Sequence, residues 1–404
     1  MGVRPTTQRA EYAELAGLYF LQAMATAMWF VPCGVVLDAC GLGKIKALAF
    51  ATTATAALIS PLIFGSMADR HVSPIKVLRW LSVASAVTMV FVTLGIQHHL
   101  NAWLVLALIQ LQALFSTPTA SITIAIVFSR LRDARTDFGP IRAMATFGWM
   151  TGCWVISALN ADASVLAGYS DAVMWLVLVA STFFLPEVPP PKTDGPLTLR
   201  QRLGWDALGL LKDHDHRVVF ITMALFYIPI SAFYPFAPTQ LRELGLHRTS
   251  AWLTLGQVTE IMAMFSLAWL LSRWRLKWII GTGLAVALLR FVLFALNQTV
   301  PVFAAIMLHG VSLVMVLVTA QVYVDQRVDA SWRVRAQSLL YLGTNGIGSL
   351  LGFVGAGWWF QAASRPAGPQ WHLFWGGLAA VMGIILVYFL IAYRGIGSGL
   401  KRAK

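Results

Sequence analysis

Charge is what this sequence has least of. Aspartate and glutamate number 17 among 404 residues, and all charged types together make up 12%. That is about half the share found in soluble globular chains, so a water-soluble enzyme of this length is excluded. Cysteine is also scarce: Cys33, Cys40 and Cys153 are odd in number, lie in or beside apolar runs and lack metal-ligand spacing. They exclude a disulfide framework and a zinc site, and read as small apolar side chains. Catalytic signatures are missing too. There is no Gly-x-Ser-x-Gly elbow, no His-x-x-x-x-Asp acyltransferase pattern and no nucleotide-binding loop, and His98-His99 has no carboxylate nearby. No catalytic residue, cofactor or metal is therefore assigned.

What is abundant is apolar: 58% of the chain is hydrophobic, with a mean hydropathy of +0.71. Crossing the hydrocarbon takes about 20 apolar residues. Twelve segments meet that length, near 12–36, 47–66, 77–97, 102–128, 141–160, 165–185, 217–238, 250–271, 278–297, 301–324, 335–361 and 371–393. The first has no small-residue cleavage site behind it and reads as a membrane helix rather than a signal peptide. In the sixth, Asp171 interrupts the start and is expected near the outer surface. The net charge of +13 would suggest nucleic acid in a soluble protein. Here about 23 Lys and Arg lie in the termini and alternate loops on one face, against Lys44, Lys46, Arg242, Arg248 and Arg365 on the other. That bias places both termini in the cytoplasm and makes the bilayer, not nucleic acid, the partner.

The longest polar stretch, Pro186-Glu-Val-Pro-Pro-Pro-Lys192-Thr-Asp-Gly-Pro196, falls in the middle. It is a linker by composition, followed by an amphipathic surface helix over Leu199 to Leu211. Asp213-His-Asp-His216-Arg217 reads as a solvated turn rather than a metal site. The expected architecture is all-α: a six-helix bundle over 1–185, a cytoplasmic linker over 186–216 and a second six-helix bundle over 217–404. Such a layout is that of a transporter built from repeated halves.

Three groups of residues carry chemistry. The eighth segment places Gln257 and Glu260 at i and i+3, on one helical face. A carboxylate at membrane depth costs several kcal/mol unless it faces a wet or protein-lined cavity, and so marks a functional site (about 3 kcal/mol or more). The fifth segment places Arg142, Thr146 and Trp149 at i, i+4 and i+7, again one face, with Pro140 suited to a first helical turn. Two readings stay open for Arg142: snorkelling to the headgroups, or binding a planar polar solute alongside the hydroxyl and the indole. The third group, Gly65-Ser-Met-Ala-Asp69-Arg70, follows the second segment. It resembles the loop signature G-x-L-A-D-R-x-G-R-K of the major facilitator superfamily, with Met67 for Leu and a reduced basic run. Gly65, Asp69 and Arg70 are accordingly expected to form a conformational gate. Arg290, in the ninth segment, is a candidate partner for Glu260, with snorkelling or a structural bond inside its own bundle the favoured alternatives. Gly348 and Gly352 form a G-x-x-x-G packing pair. Pro32, Pro118 and Pro229 are candidate kinks.

Further motifs narrow the resemblance. Asp137-Phe-x-Pro140-Ile-Arg142-x-x-x-Thr146-x-Gly148, Gln257-x-x-Glu260, Leu289-Arg290-Phe291 and Arg335-Ala followed by Thr344-Asn345-Gly346, with Phe20-Leu-Gln22 and Trp29, are similar to the bacterial nucleoside:proton symporters of the major facilitator superfamily. They are scattered over both halves of the chain. The resemblance implies a secondary transporter, acting as a monomer in the cytoplasmic (inner) membrane, with a nucleoside and protons as its small-molecule partners. It implies a substrate site that includes Arg142, Thr146, Trp149 (where the family has Phe), Gln257 and Glu260. Ser231 and Tyr234 occupy the positions of the family's Gln and Asn, and His309, Leu313 and Val314 those of its Tyr, Phe and Asp. Val314 therefore stands where the family carries an acid, which leaves Glu260 as the expected proton-coupling residue. A major facilitator transporter of another small polar or aromatic solute, with or without coupling to protons, is the alternative.

Overall fold

The computed structural model describes residues 9–63, 72–131, 134–186, 205–329, 332–366 and 368–395. The expected gate, Gly65, Asp69 and Arg70, lies outside the described residues, as does most of the linker. The described chain is helical apart from a two-residue strand pair, Ser364–Arg365 with Gly368–Pro369. Nine of the described helices are long and apolar enough to cross a membrane. Three more, Lys46–Ile63, Ala134–Ala158 and Leu166–Ser181, coincide with the remaining apolar segments.

The chain divides into two compact units: one of Met1–Pro196 with His247–Ala251, the other of Leu197–Leu246 with Trp252–Lys404. Each repeats one internal plan. In the first, Arg9–Phe30 packs on Ala134–Ala158, Lys46–Ile63 on Ala102–Arg130, and Pro74–Gln97 on Leu166–Ser181. In the second, His214–Ile230 packs on Leu342–Gly348 and Ser349–Ala362, Leu255–Arg273 on Thr299–Leu313, and Leu276–Ala295 on Trp371–Ala392. Thus the first helix of each unit meets the fifth, the second the fourth and the third the sixth.

The same device closes the first-to-fifth contact in both. A Cβ on Gly148 would lie 2.1 Å from the Phe20 carbonyl oxygen and one on Gly152 2.8 Å from that of Met24. In the second unit, Gly348 and Gly352 meet the Ala224 and Ile228 carbonyls at 2.6 and 2.5 Å. Two glycines one turn apart let the backbones touch, which any side chain would prevent.

Two of the three candidate kink prolines coincide with helix breaks. The first segment breaks at Val31–Pro32 and the seventh at Ser231–Ala232, two residues after Pro229. Pro118 stays inside the unbroken helix Ala102–Arg130. Pro140 is not in a first turn: its helix starts at Ala134, so the proline is internal. It forfeits one backbone hydrogen bond, which the helix tolerates within two turns of its end. Asp171, in the second turn of Leu166–Ser181, is 1% exposed and enclosed within its unit beside the buried Trp175.

Carboxylates at helix ends are better paired. Glu14 meets Arg130 at 2.7 Å and Glu11 the same guanidinium at 3.5 Å, while Asp325 lies 3.7 Å from Arg333. Asp162, 3% exposed, caps the start of Thr249–Leu253. One of its oxygens accepts from Ser250 N at 2.7 Å, Thr249 Oγ1 at 3.3 Å and Ser157 Oγ at 3.1 Å. Ser157 Oγ in turn accepts from Ala251 N at 3.0 Å. Removing the shared acceptor leaves buried donors unpaired, at about 1–3 kcal/mol. Asp162→Ala is therefore expected to lower the melting temperature of the detergent-solubilised protein by several degrees, and Asp162→Asn by less. An unshifted melt for the alanine variant would show that the cap contributes nothing.

Candidate functional site

In the first unit the candidate residues lie along Ala134–Ala158. Arg142 is exposed, and Thr146 and Trp149 are half-buried. Gly148, between them in sequence, is turned instead onto the Phe20 carbonyl, so helix packing on one side leaves the Arg142–Thr146–Trp149 stripe on another. The Trp149 indole is 5.9 Å from the Phe30 ring, which itself packs edge-on against Phe50 at 5.1 Å. Gln22 is held nearby in the same unit, its amide donating to Thr26 Oγ1 and Thr119 Oγ1, both at 3.2 Å.

A short helix, Thr249–Leu253, at which the chain passes from the first unit to the second, ends one residue before Leu255–Arg273 begins. That helix starts at Thr254 without a side-chain cap. Gln257 is therefore in the first turn and Glu260 in the second. The Gln257 amide donates to Tyr234 Oη at 3.2 Å, while its own Oε1 is buried with no hydrogen-bond partner. His309, 4% exposed, stacks on Phe233 at 4.2 Å and meets the edge of Tyr234 at 6.1 Å. These contacts join Tyr234, Gln257 and His309 into one cluster.

Glu260 is half-buried and lies within electrostatic reach of Tyr227, whose hydroxyl shares a hydrogen bond with Asn345. Its backbone is fixed by the neighbouring helix. A Cβ on Gly310 would lie 2.3 Å from Glu260 N and 2.1 Å from the Gly256 carbonyl oxygen. Thr259, beside it, donates to the Met307 carbonyl. Leu255–Arg273 and Thr299–Leu313 are thus in backbone contact at the level of the carboxylate.

Ser231 is set differently. Its hydroxyl donates to the Tyr227 carbonyl at 2.6 Å and its Cβ is where a side chain on Gly352 would intrude, at 2.8 Å. It belongs to the helix-to-helix seam rather than to the Tyr234–Gln257–His309 cluster. Arg290 is fully buried with its guanidinium 4.5 Å from the Phe233 ring centre, and 5.2 and 5.7 Å from those of Phe291 and Phe294. Its nitrogens have no hydrogen-bond partner. The cation is held by ring faces inside its own unit, one of the alternatives the sequence left open and not the snorkelling one, and it braces the phenylalanine that stacks on His309.

Two of the nearby helices are locally widened: Val314–Val318 and Leu342–Gly348 are π-turns, a feature frequent at functional sites. Asn345 lies in the second. Val314 opens the first and is fully buried against Leu267, Ile279 and Met315. The valine is therefore part of an apolar cluster.

Sequence reasoning missed Tyr227 and Phe233 beside the second unit's candidate residues and Phe30 beside Trp149 in the first. Tyr227 stands seven residues before Tyr234, a helical-face spacing that could have flagged it. Nothing in the sequence distinguishes Phe30 or Phe233 from the many apolar aromatics of this chain. Among the described residues no group of His, Cys, Asp and Glu is placed to hold a metal ion.

Comparison with known proteins identifies the family. The nucleoside H+ symporter family model matches residues 11–396. A putative nucleoside transporter, YegT of Escherichia coli, is 33% identical over 408 residues, covering 95% of this chain and 93% of that protein. The E. coli nucleoside permease NupG is 24% identical over 407 residues, covering 94% and 95%. The crystal structure of NupG superposes with a TM-score of 0.85 at 22% identity, over 95% of this chain and 99% of that one, and shows the shared fold. These relatives are transporters and permeases, not enzymes. The chain is a multi-pass membrane transporter and belongs to the nucleoside H+ symporter family.

Proposed function

We propose that this protein moves nucleosides across the bacterial cytoplasmic membrane by alternating access, in symport with protons. In this reading twelve helices span the bilayer as two bundles, 1–185 and 217–404, joined by the cytoplasmic linker 186–216, with both termini in the cytoplasm and the protein working as a monomer. The observation that carries it is the Gln257–Glu260 pair. A half-buried carboxylate in an apolar helix lies one turn from an amide whose carbonyl oxygen is buried and unpaired. An unpaired buried acceptor calls for a donor, and a nucleoside supplies ribose hydroxyls and base N–H groups. Arg142, Thr146 and Trp149 supply charge, a hydroxyl and a stacking surface; Tyr234 holds Gln257, and His309, against Tyr234, contributes a further polar edge. Ser231, with its hydroxyl engaged by Tyr227, acts on shape. Glu260 carries the proton, and Gly65, Asp69 and Arg70 hold one access state closed.

The test is uptake of radiolabelled uridine and adenosine into proteoliposomes, with and without an inward proton gradient. Accumulation that depends on the gradient is expected for at least one of them. No uptake of either by correctly folded protein would remove the nucleoside reading. The burial of Val314 in an apolar cluster favours one second reading, facilitated transport without coupling. Exchange indifferent to the gradient would establish it.

A further inference from the structure

We propose that a basic cavity in the second unit binds the phosphate headgroup of an anionic phospholipid. The cavity, of about 910 Å³, is lined by Arg275, Lys277, Arg327 and Arg394, with Trp278 and Tyr393 among its other walls. It forms where the start of Leu276–Ala295 and the ends of Thr319–Arg327 and Trp371–Ala392 come together.

Four features point to this ligand. First, the lining carries four cations and no carboxylate. Asp213 and Asp215 lie within electrostatic reach of Tyr393; Asp215 is 4% exposed, with one oxygen accepting from Arg394 N at 3.1 Å. Among the described residues none of the four cations is in an ion pair. Lys277 Nζ donates to the Tyr393 carbonyl at 2.8 Å, which leaves two of its three donors, and Arg327 lies 5.8 Å from the Tyr323 ring. Second, the first turn of Leu276–Ala295 forms part of the wall, and Arg275 at its N-cap makes no side-chain cap. Trp278 N donates to the Arg275 carbonyl at 2.9 Å, and the positive end of the 20-residue helix adds to the four side chains.

Third, depth selects a lipid over a soluble anion. Trp274 and Trp278 are 45% and 56% exposed beside the cavity, the setting of indoles at a membrane interface. Leu276 and Leu390 are in the lining, and Ile391, next to it, is 78% exposed, so an acyl chain has an apolar surface to follow. Fourth, the basic residues here are those whose loop bias places this end on the cytoplasmic side. That leaflet is the one whose negative surface is read by basic clusters and pockets between helices. The lipid would bridge three helices of the second unit at their ends.

Native mass spectrometry of the full-length detergent-solubilised protein tests this, with dioctanoyl phosphatidylglycerol, dioctanoyl phosphatidylcholine and inorganic phosphate as probes. Retention of one phosphatidylglycerol in preference to phosphatidylcholine is expected. Each cation removed should weaken it about fivefold, so Arg275→Ala with Arg327→Ala should lose about 25-fold, while the paired Arg→Lys changes keep most of the binding. A monodisperse elution profile of each variant checks the fold. If inorganic phosphate displaces the lipid at equal concentration, the site is one for free anions and the lipid assignment fails. If the double alanine variant holds phosphatidylglycerol as wild type does, or both lipids bind alike, the proposal is overturned.

Discussion

Replacing Glu260 by glutamine should abolish accumulation of substrate in proteoliposomes while leaving part of the exchange between the two sides. A symporter moving one proton per substrate can hold about a tenfold gradient for each pH unit across the membrane. Glutamine keeps the size and hydrogen-bonding reach of the carboxylate but cannot take up or release the proton, so the steady-state ratio should fall to about one. Exchange needs only binding and the conformational change. It should persist, because the contacts of Gln257 with Tyr234 and of His309 with Phe233 do not involve Glu260. The measurement is the internal-to-external ratio of labelled uridine under an imposed pH gradient, beside counterflow at equal pH. A variant that still concentrates uridine like wild type would show that the proton is carried elsewhere. The buried Asp171 of the first unit would then be the next carboxylate to test.

The second large effect is expected from one methyl group. In Gly310→Ala the new carbon would meet the Gly256 oxygen at 2.1 Å, Glu260 N at 2.3 Å and Glu260 Cα at 2.7 Å. All three are backbone atoms, so no side chain can swing aside. The helices Leu255–Arg273 and Thr299–Leu313 must separate, with a cost of about 1–3 kcal/mol for overpacking. That separation moves the residues that matter most, because the contact is made at Gly256 and Glu260 themselves. Uptake should fall at least about tenfold, the effect of 1.4 kcal/mol or more on a transport step, and the melting temperature should drop with it. Gly355→Ala serves as the control: nothing lies within 4 Å of its Cβ position, and it should transport normally. A Gly310→Ala protein with wild-type melting and uptake would show that the helices are free to part.

Much of the fold was legible because a bilayer leaves few options. Backbone polar groups in hydrocarbon must be paired within the chain, so long apolar runs become helices, and segment lengths and loop charges follow from the same constraint. The Gln257–Glu260 pair was legible because polar residues are rare in such runs. The Gly348–Gly352 spacing marked a close helix contact, which the Ala224 and Ile228 carbonyls occupy.

Other features depend on neighbours distant in sequence. Pro140 looked like a helix start because its own residue type favours one, yet the helix runs six residues earlier. The enclosure of the Asp171 side chain by protein, beside Trp175, is another such feature. Nothing in the local pattern tells a buried carboxylate from an interfacial one. The partner of Arg290 was open between an acid and its own bundle. The choice of Phe233 comes from a ring 57 positions away in the chain, brought to 4.5 Å by tertiary packing.

By itself the sequence determined the membrane class of this protein, the helical segments, and the two stripes that bear Arg142 with Thr146 and Trp149, and Gln257 with Glu260. Composition and spacing are local quantities, and the hydrocarbon reads them one segment at a time. Only the tertiary structure decided which side of each helix is closed. Gly148 and Gly352 go to backbone seams and Ser231 goes with them, Val314 goes to an apolar cluster, and Tyr227 with Asn345 goes beside Glu260. Those assignments follow from which helix lies against which, a property of pairs of segments far apart in the chain, and no single segment encodes it.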